Sequence, residues 1–210
     1  MQTILPLLFA GIVGFTHAFE IDHLLAVSSI VTRRKSAALA MKDGVFWGLG
    51  HTSTILLIGI LMILAQLAVS ESTFHLFEAG VGLMLALLGL QRLREIWRHK
   101  QRHAYAHAHE MPHNHRLAYG VGLVHGLAGS GTLVLLVMTE LETAWQGIFY
   151  LLIFGLGSVL GMLLASGVFF LPFSHKLSQN LPLQRGLTLL SSLLCVAFGC
   201  KVILNNLLHL

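Results

Sequence analysis

Two imidazoles and two carboxylates fall within seven residues, His17-Ala18-Phe19-Glu20-Ile21-Asp22-His23, in the middle of an apolar run. Imidazole with carboxylate is a donor set for borderline divalent metals. Ionisable groups at membrane depth are costly and mark functional sites. Spacing constrains the geometry. At about 100° per residue, a regular helix sets His17 and His23 about 120° apart and Asp22 about 140° from His17. A straight helix would splay the three. Either the helix breaks nearby, as discontinuous helices do at midplane sites, or only some of these groups bind and the rest orient the binders. The plain alternative is a polar loop between two apolar segments, but Ile4–Phe15 is too short to span a bilayer alone.

Two further histidines sit among glycines and hydroxyls. His51 lies in Gly48-Leu49-Gly50-His51-Thr52-Ser53-Thr54, and His125 in His125-Gly126-Leu127-Ala128-Gly129. Each is a candidate ligand. The competing reading for each is a histidine satisfied by a neighbouring hydroxyl or carbonyl on a packing face. Glu20, Thr52 and Ser53 are candidate supporting groups that would hold the ligands without touching the ion. Cys195 and Cys200 are five apart, turned about 140° from each other on a helix, and read as packing residues. Lys201 would snorkel outward or pair with Glu78.

The elements that must position these groups are membrane helices. Of 210 residues 55% are hydrophobic and 10% charged, with mean hydropathy +0.77, where a soluble domain carries about 25% charge. Runs long enough to span occur at Ile4–Val31, Val45–Val69, Phe74–Leu93, Leu117–Met138, Ala144–Leu171 and Gly186–Leu208. Basic connections (Arg33 to Lys42, Arg92 to Arg116, Lys176 to Arg185) alternate with connections holding Glu71, Glu78, Glu140 and Glu142. The positive-inside rule then puts the basic loops in the cytoplasm and both termini outside. The net charge of +4 therefore reports topology and not a nucleic-acid partner. No removable signal peptide is read at the start. No Walker or H-E-x-x-H stretch occurs, so neither an ATPase domain nor a catalytic role is expected, nor an organic cofactor.

The expected fold is all-α: a polytopic bundle of about six spans arranged as a 3+3 inverted repeat, the architecture of many transporters. Residues 1–97 form the first three-helix repeat and 117–210 the second. Gly14-Phe15-Thr16-His17 matches Gly122-Leu123-Val124-His125, and Gly48-Leu49-Gly50 matches Gly155-Leu156-Gly157. Between the halves, 98–116 is a hydrophilic cytoplasmic loop in which His103, His107, His109, His113 and His115 offer weak metal sites.

With these motifs in view, the chain resembles the nickel/cobalt transporter (NiCoT, NicO) superfamily, closest to its short, urease-accessory UreH-type branch. The family's H-x4-D-H pattern stands here as His17, Asp22 and His23, and its L-G-H-[ST] motif as Leu49-Gly50-His51-Thr52. The resemblance implies a multi-pass protein of the bacterial inner membrane that takes Ni2+ or Co2+ as transported substrate. His17, Asp22 and His23 would recognise the ion and His51 contribute. Cytoplasmic metallochaperones or urease maturation proteins would be partners. Longer family members have eight helices and acidic motifs in the second half, where this chain has His125-Gly126-Leu127. Uptake for a nickel enzyme, efflux, and metal delivery without net transport all stay open at this stage.

Overall fold

The computed structural model describes residues 4–31, 34, 36–65, 70–101, 115–140, 143–173 and 181–209. Among the described residues seven α-helices follow one another: α1 (Ile4–His17), α2 (Ile21–Val31), α3 (Ala37–Ala65), α4 (Glu71–Gln101), α5 (Arg116–Glu140), α6 (Ala144–Phe170) and α7 (Leu181–Leu207), with one 3-10 turn at Leu171–Phe173. An apolar solvent leaves backbone N–H and C=O groups no partner outside the chain, so helices are the natural form for these runs. Local signals set their starts. Thr143 and Gln146 form a reciprocal capping box at α6. The hydroxyl of Ser36 accepts from Leu39 N at α3, and that of Ser70 from Thr73 N at α4.

Helices α3, α4, α6 and α7 are each long and apolar enough to cross a membrane, and α1 with α2, bent by 55° at their junction, makes a fifth candidate. The expected six is thus met to five by length and composition among the described residues. The loop expected from Arg98 begins later, because α4 runs on through Gln101. An Arg92–Glu95 pair one turn apart (2.8 Å) supports that polar helix end. His103, His107, His109 and His113 lie outside the described residues.

Small residues let the helices meet backbone to backbone. A Cβ at Gly14 would collide with the carbonyl of Phe154, and one at Gly122 with that of Trp47. Likewise Gly157 rides on the Gly11 carbonyl and Gly50 on that of Tyr119. The main packings are α3 on α5 and α6, α1 on α6, and α4 on α7. One apolar core joins α2 to α7 through Val27, Trp47, Leu85, Val121 and Met162; a second joins α1, α3 and α6 through Ala10, Ile55 and Phe154. Leucines such as Leu57, Leu61, Leu156 and Leu160 face outward. Helices apolar on both faces suit a lipid surround.

Candidate metal centre

The junction of α1 and α2 lies within the motif, the first of the two arrangements that its spacing allowed. It contains neither proline nor glycine. The Thr16 hydroxyl donates back to the carbonyls of Ile12 (3.0 Å) and Val13 (3.1 Å), a pattern that bends helices. Phe19 N and Glu20 N then close turns on the Thr16 and His17 carbonyls. From there α2 restarts at a new angle, with Leu24 N donating to the Glu20 carbonyl. His17 therefore ends one helix and His23 opens the next, facing back toward it. Their ring centroids are 4.5 Å apart.

Four imidazoles meet at this junction. From α3, His51 comes to 5.3 Å of the His17 ring and 5.2 Å of His23. From α5, His125 comes to 4.3 Å of His23. His23, His51 and His125 are 1%, 0% and 1% exposed. Two groups of donor atoms lie within 4.8 Å of one another: His17, His23 and His51, and Asp22, His23 and His125. His23 belongs to both.

Carboxylates stand behind the rings. Glu20 Oε1 accepts from His17 Nδ1 at 2.9 Å. Asp22 accepts from His23 Nδ1 at 3.0 Å through one oxygen and from His125 Nε2 at 3.2 Å through the other. An ionised carboxylate can only accept, so the ring protons sit on the nitrogens facing it. The far nitrogens, His17 Nε2 and His23 Nε2, are left as bare lone pairs. Both are buried without a hydrogen-bond partner, as are both nitrogens of His51 and Nδ1 of His125. Each unpaired buried polar atom costs about 1–3 kcal/mol. Four adjoining rings thus each keep at least one unpartnered nitrogen, and a divalent cation would take one lone pair from each ring that it touches. The carboxylate–imidazole pairing is the usual way of fixing tautomer and ring angle at a metal.

The hydroxyls of Thr52 and Ser53 bond to backbone carbonyls. The Thr52 hydroxyl donates to the Gly155 carbonyl (3.2 Å) and that of Ser53 to the Leu49 carbonyl (2.7 Å), so both serve the helices and not His51. His115, from the end of the polar connection, turns inward to Asp43 (2.7 Å) and stacks on Phe46. Lys201 faces outward, and among the described residues no ion pair joins it to Glu78. Cys195 is buried against the Leu85 carbonyl (3.3 Å), while Cys200 is exposed.

Sequence reasoning missed the walls of the site. Trp47 contacts both His23 and His125, and Phe154 contacts His17. Aromatic residues are common in apolar spans, so nothing in the sequence singles these two out. A cavity of about 720 Å³ opens from the rings past Asp22, Glu20 and Glu78. Glu20 is 58% exposed at its mouth.

A polytopic helical membrane protein with a histidine–carboxylate centre is the class these features define. The chain belongs to the family described as "Cytochrome C biogenesis protein transmembrane region", whose model matches residues 7–200, and to the UreH-type branch that its motifs resemble. It is 34% identical to "Urease accessory protein UreH" of Bacillus sp. (strain TB-90), over 96% of this chain and 92% of that one. It is also 25% identical to "Chloroplast protein FOR GROWTH AND FERTILITY 2" of Arabidopsis thaliana, over 88% of this chain but 52% of that protein. No solved structure matches the chain.

Proposed function

We propose that this protein carries nickel or cobalt, as the divalent ion, across a bacterial inner membrane, inward toward a nickel enzyme such as urease. The observation that carries the reading is the meeting of four imidazoles, each with at least one buried ring nitrogen that lacks a partner, at the head of a cavity with acidic residues along it. The ion enters past Glu20 and Glu78 and sheds part of its water. It is held by His17 Nε2, His23 Nε2 and His51, with Glu20 and Asp22 fixing the rings from behind. The group formed by Asp22, His23 and His125 gives it a second position, reached through the shared His23. Imidazole binds both nickel and cobalt, nickel the more tightly, and selection between them comes from geometry and metal availability rather than from the donor set alone. A cytoplasmic metallochaperone or urease maturation protein would receive the ion.

A six-span inverted repeat is the architecture we assign to this activity. Helix α5, 25 residues long and thus roughly 37 Å, is our sixth span. Exchange of the halves supports the symmetry: Gly14 on Phe154 corresponds to Gly122 on Trp47, and Gly157 on Gly11 to Gly50 on Tyr119. The packing of α3 on α5 corresponds to that of α6 on α1. The basic connections lie on the cytoplasmic side in this assignment.

A second reading is a membrane-anchored metal-delivery protein without net flux. It draws on the relative's name, which says accessory protein and nothing of transport. Purified protein in liposomes separates the two. Nickel entering protein-containing vesicles, and not those bearing a His17→Ala plus Asp22→Ala variant, supports transport. Metal bound at the centre without flux in either direction removes transport and favours delivery.

A further inference from the structure

The cavity reaches the histidine centre from the side of Glu20 and Glu78. Below the centre the described residues are closely packed. Trp47 lies under His23 and His125, and beyond it Val31, Ala40, Ala118 and Val121 are all 5% exposed or less. Under this plug is Asp43 on α3, one turn before Trp47 and itself only 1% exposed. Both of its oxygens are engaged. Arg34, between α2 and α3, grips the carboxylate through Nε and through Nη2, the latter at 2.8 Å. His115, at the start of α5, donates to Oδ1 at 2.7 Å and stacks on Phe46 with ring centroids 4.9 Å apart.

A buried carboxylate held by two partners is expensive to uncover, because separating it from them strands a charge in a poorly solvating place. Its partners come from two different parts of the chain, so the cluster staples the end of α2 to the start of α5 across α3. These elements carry His23, His125 and His51, so a parting of the helices at the staple would move the site's walls. A paired charge cluster that fixes one arrangement of helices is the kind of discrete, two-state contact on which alternating access depends.

We propose that Arg34, Asp43 and His115 form the latch of a gate on the Arg34 side of the membrane, closed here while the opposite side is open. The proposal rests on the transport reading above, and assigns these three residues to release of the ion and not to its binding. Opening breaks both Asp43 contacts, parts α5 from α3 beneath Trp47 and exposes the histidines to the other side.

The test needs no metal flux. Val121, buried in the plug on α5, is replaced by cysteine as a reporter. Inside-out membrane vesicles are treated with a membrane-impermeant cationic methanethiosulfonate, and modification of residue 121 is read by peptide mass, so that Cys195 and Cys200 remain in place. With the latch intact, labelling is slow. Asp43→Asn should raise its rate at least tenfold and Arg34→Gln by a smaller factor, with nickel affinity at the centre within about threefold of the parent. Labelling within twofold of the parent in an Asp43→Asn protein that still binds nickel overturns the gate. If Asp43→Asn has lost nickel binding through misfolding, Arg34→Gln decides on the same terms: faster labelling supports the gate and an unchanged rate overturns it. Liposomes without flux, together with latch-dependent labelling, would remove the transport reading and leave the gate standing.

Discussion

The α1–α2 pair and α5 begin alike and end differently. Each reaches a glycine that lies on a neighbouring carbonyl, Gly14 on Phe154 and Gly122 on Trp47. Each delivers a histidine three residues later, His17 and His125. After His17 the helix breaks and turns by 55°, whereas α5 runs through His125 unbroken. Part of the difference is chemical. The Thr16 hydroxyl donates to two carbonyls of the preceding turn, a bond that bends helices, and Val124 at the matching place has no hydroxyl to do so. Glu20 and Asp22 then need polar surroundings, which the cavity at the break supplies. Leu127 and Ala128 after His125 have no such need. The unbroken helix contributes one imidazole. The broken one contributes two imidazoles and the two carboxylates that orient them. A break is therefore how one segment brings candidate donors to a site from both of its sides.

Substitutions rank this contrast. The largest loss is expected for His23→Ala, since His23 belongs to both donor groups. Supporting residues around a metal are worth about 10–100-fold in affinity, so a shared donor should exceed about 100-fold, as measured by nickel titration of the purified protein. His125→Ala, on the unbroken side, should cost distinctly less; an equal loss would mean that α5 carries as much of the site as α1–α2. Asp22→Asn falls next, within the 10–100-fold range, because it loosens two rings at once. Glu20→Gln should cost no more than about tenfold, since it orients one ring from a largely exposed position. The packing half of the comparison is sharpened by Gly14→Val and Gly122→Val. Both overfill a backbone contact and should each destabilise by about 1–3 kcal/mol, lowering the melting temperature in detergent by similar amounts. A large loss at one and none at the other would break the equivalence of the halves.

Much of this was legible before any coordinates. Hydropathy located every helix to within a few residues at most ends, because a span must be long and apolar whatever its neighbours are. The angular mismatch between His17 and His23 left two possibilities, a break or binding by only some of these groups, and a break does occur between them. The polar connection was less legible, since a helix leaving the bilayer can continue on polar residues, as α4 does to Gln101. Asp43 went unmarked, although an acid beside Lys42 at the head of an apolar run was a usable signal.

The sequence by itself determined the types of the candidate donors and the angular mismatch that a straight helix would leave between them, both of which follow from composition and helical period. Only the tertiary structure decided which groups meet. Asp22 lies against His125, 103 positions away. Glu20 holds His17, and His115 leaves the polar connection to join Asp43. The reason is physical. Period and hydropathy fix how a helix is built and where it sits in depth, but not its rotation against its neighbours. Here that rotation is set by glycine-to-carbonyl contacts between segments far apart in the chain, and a turn of one helix by a single residue would move each donor about 100° away from its partner.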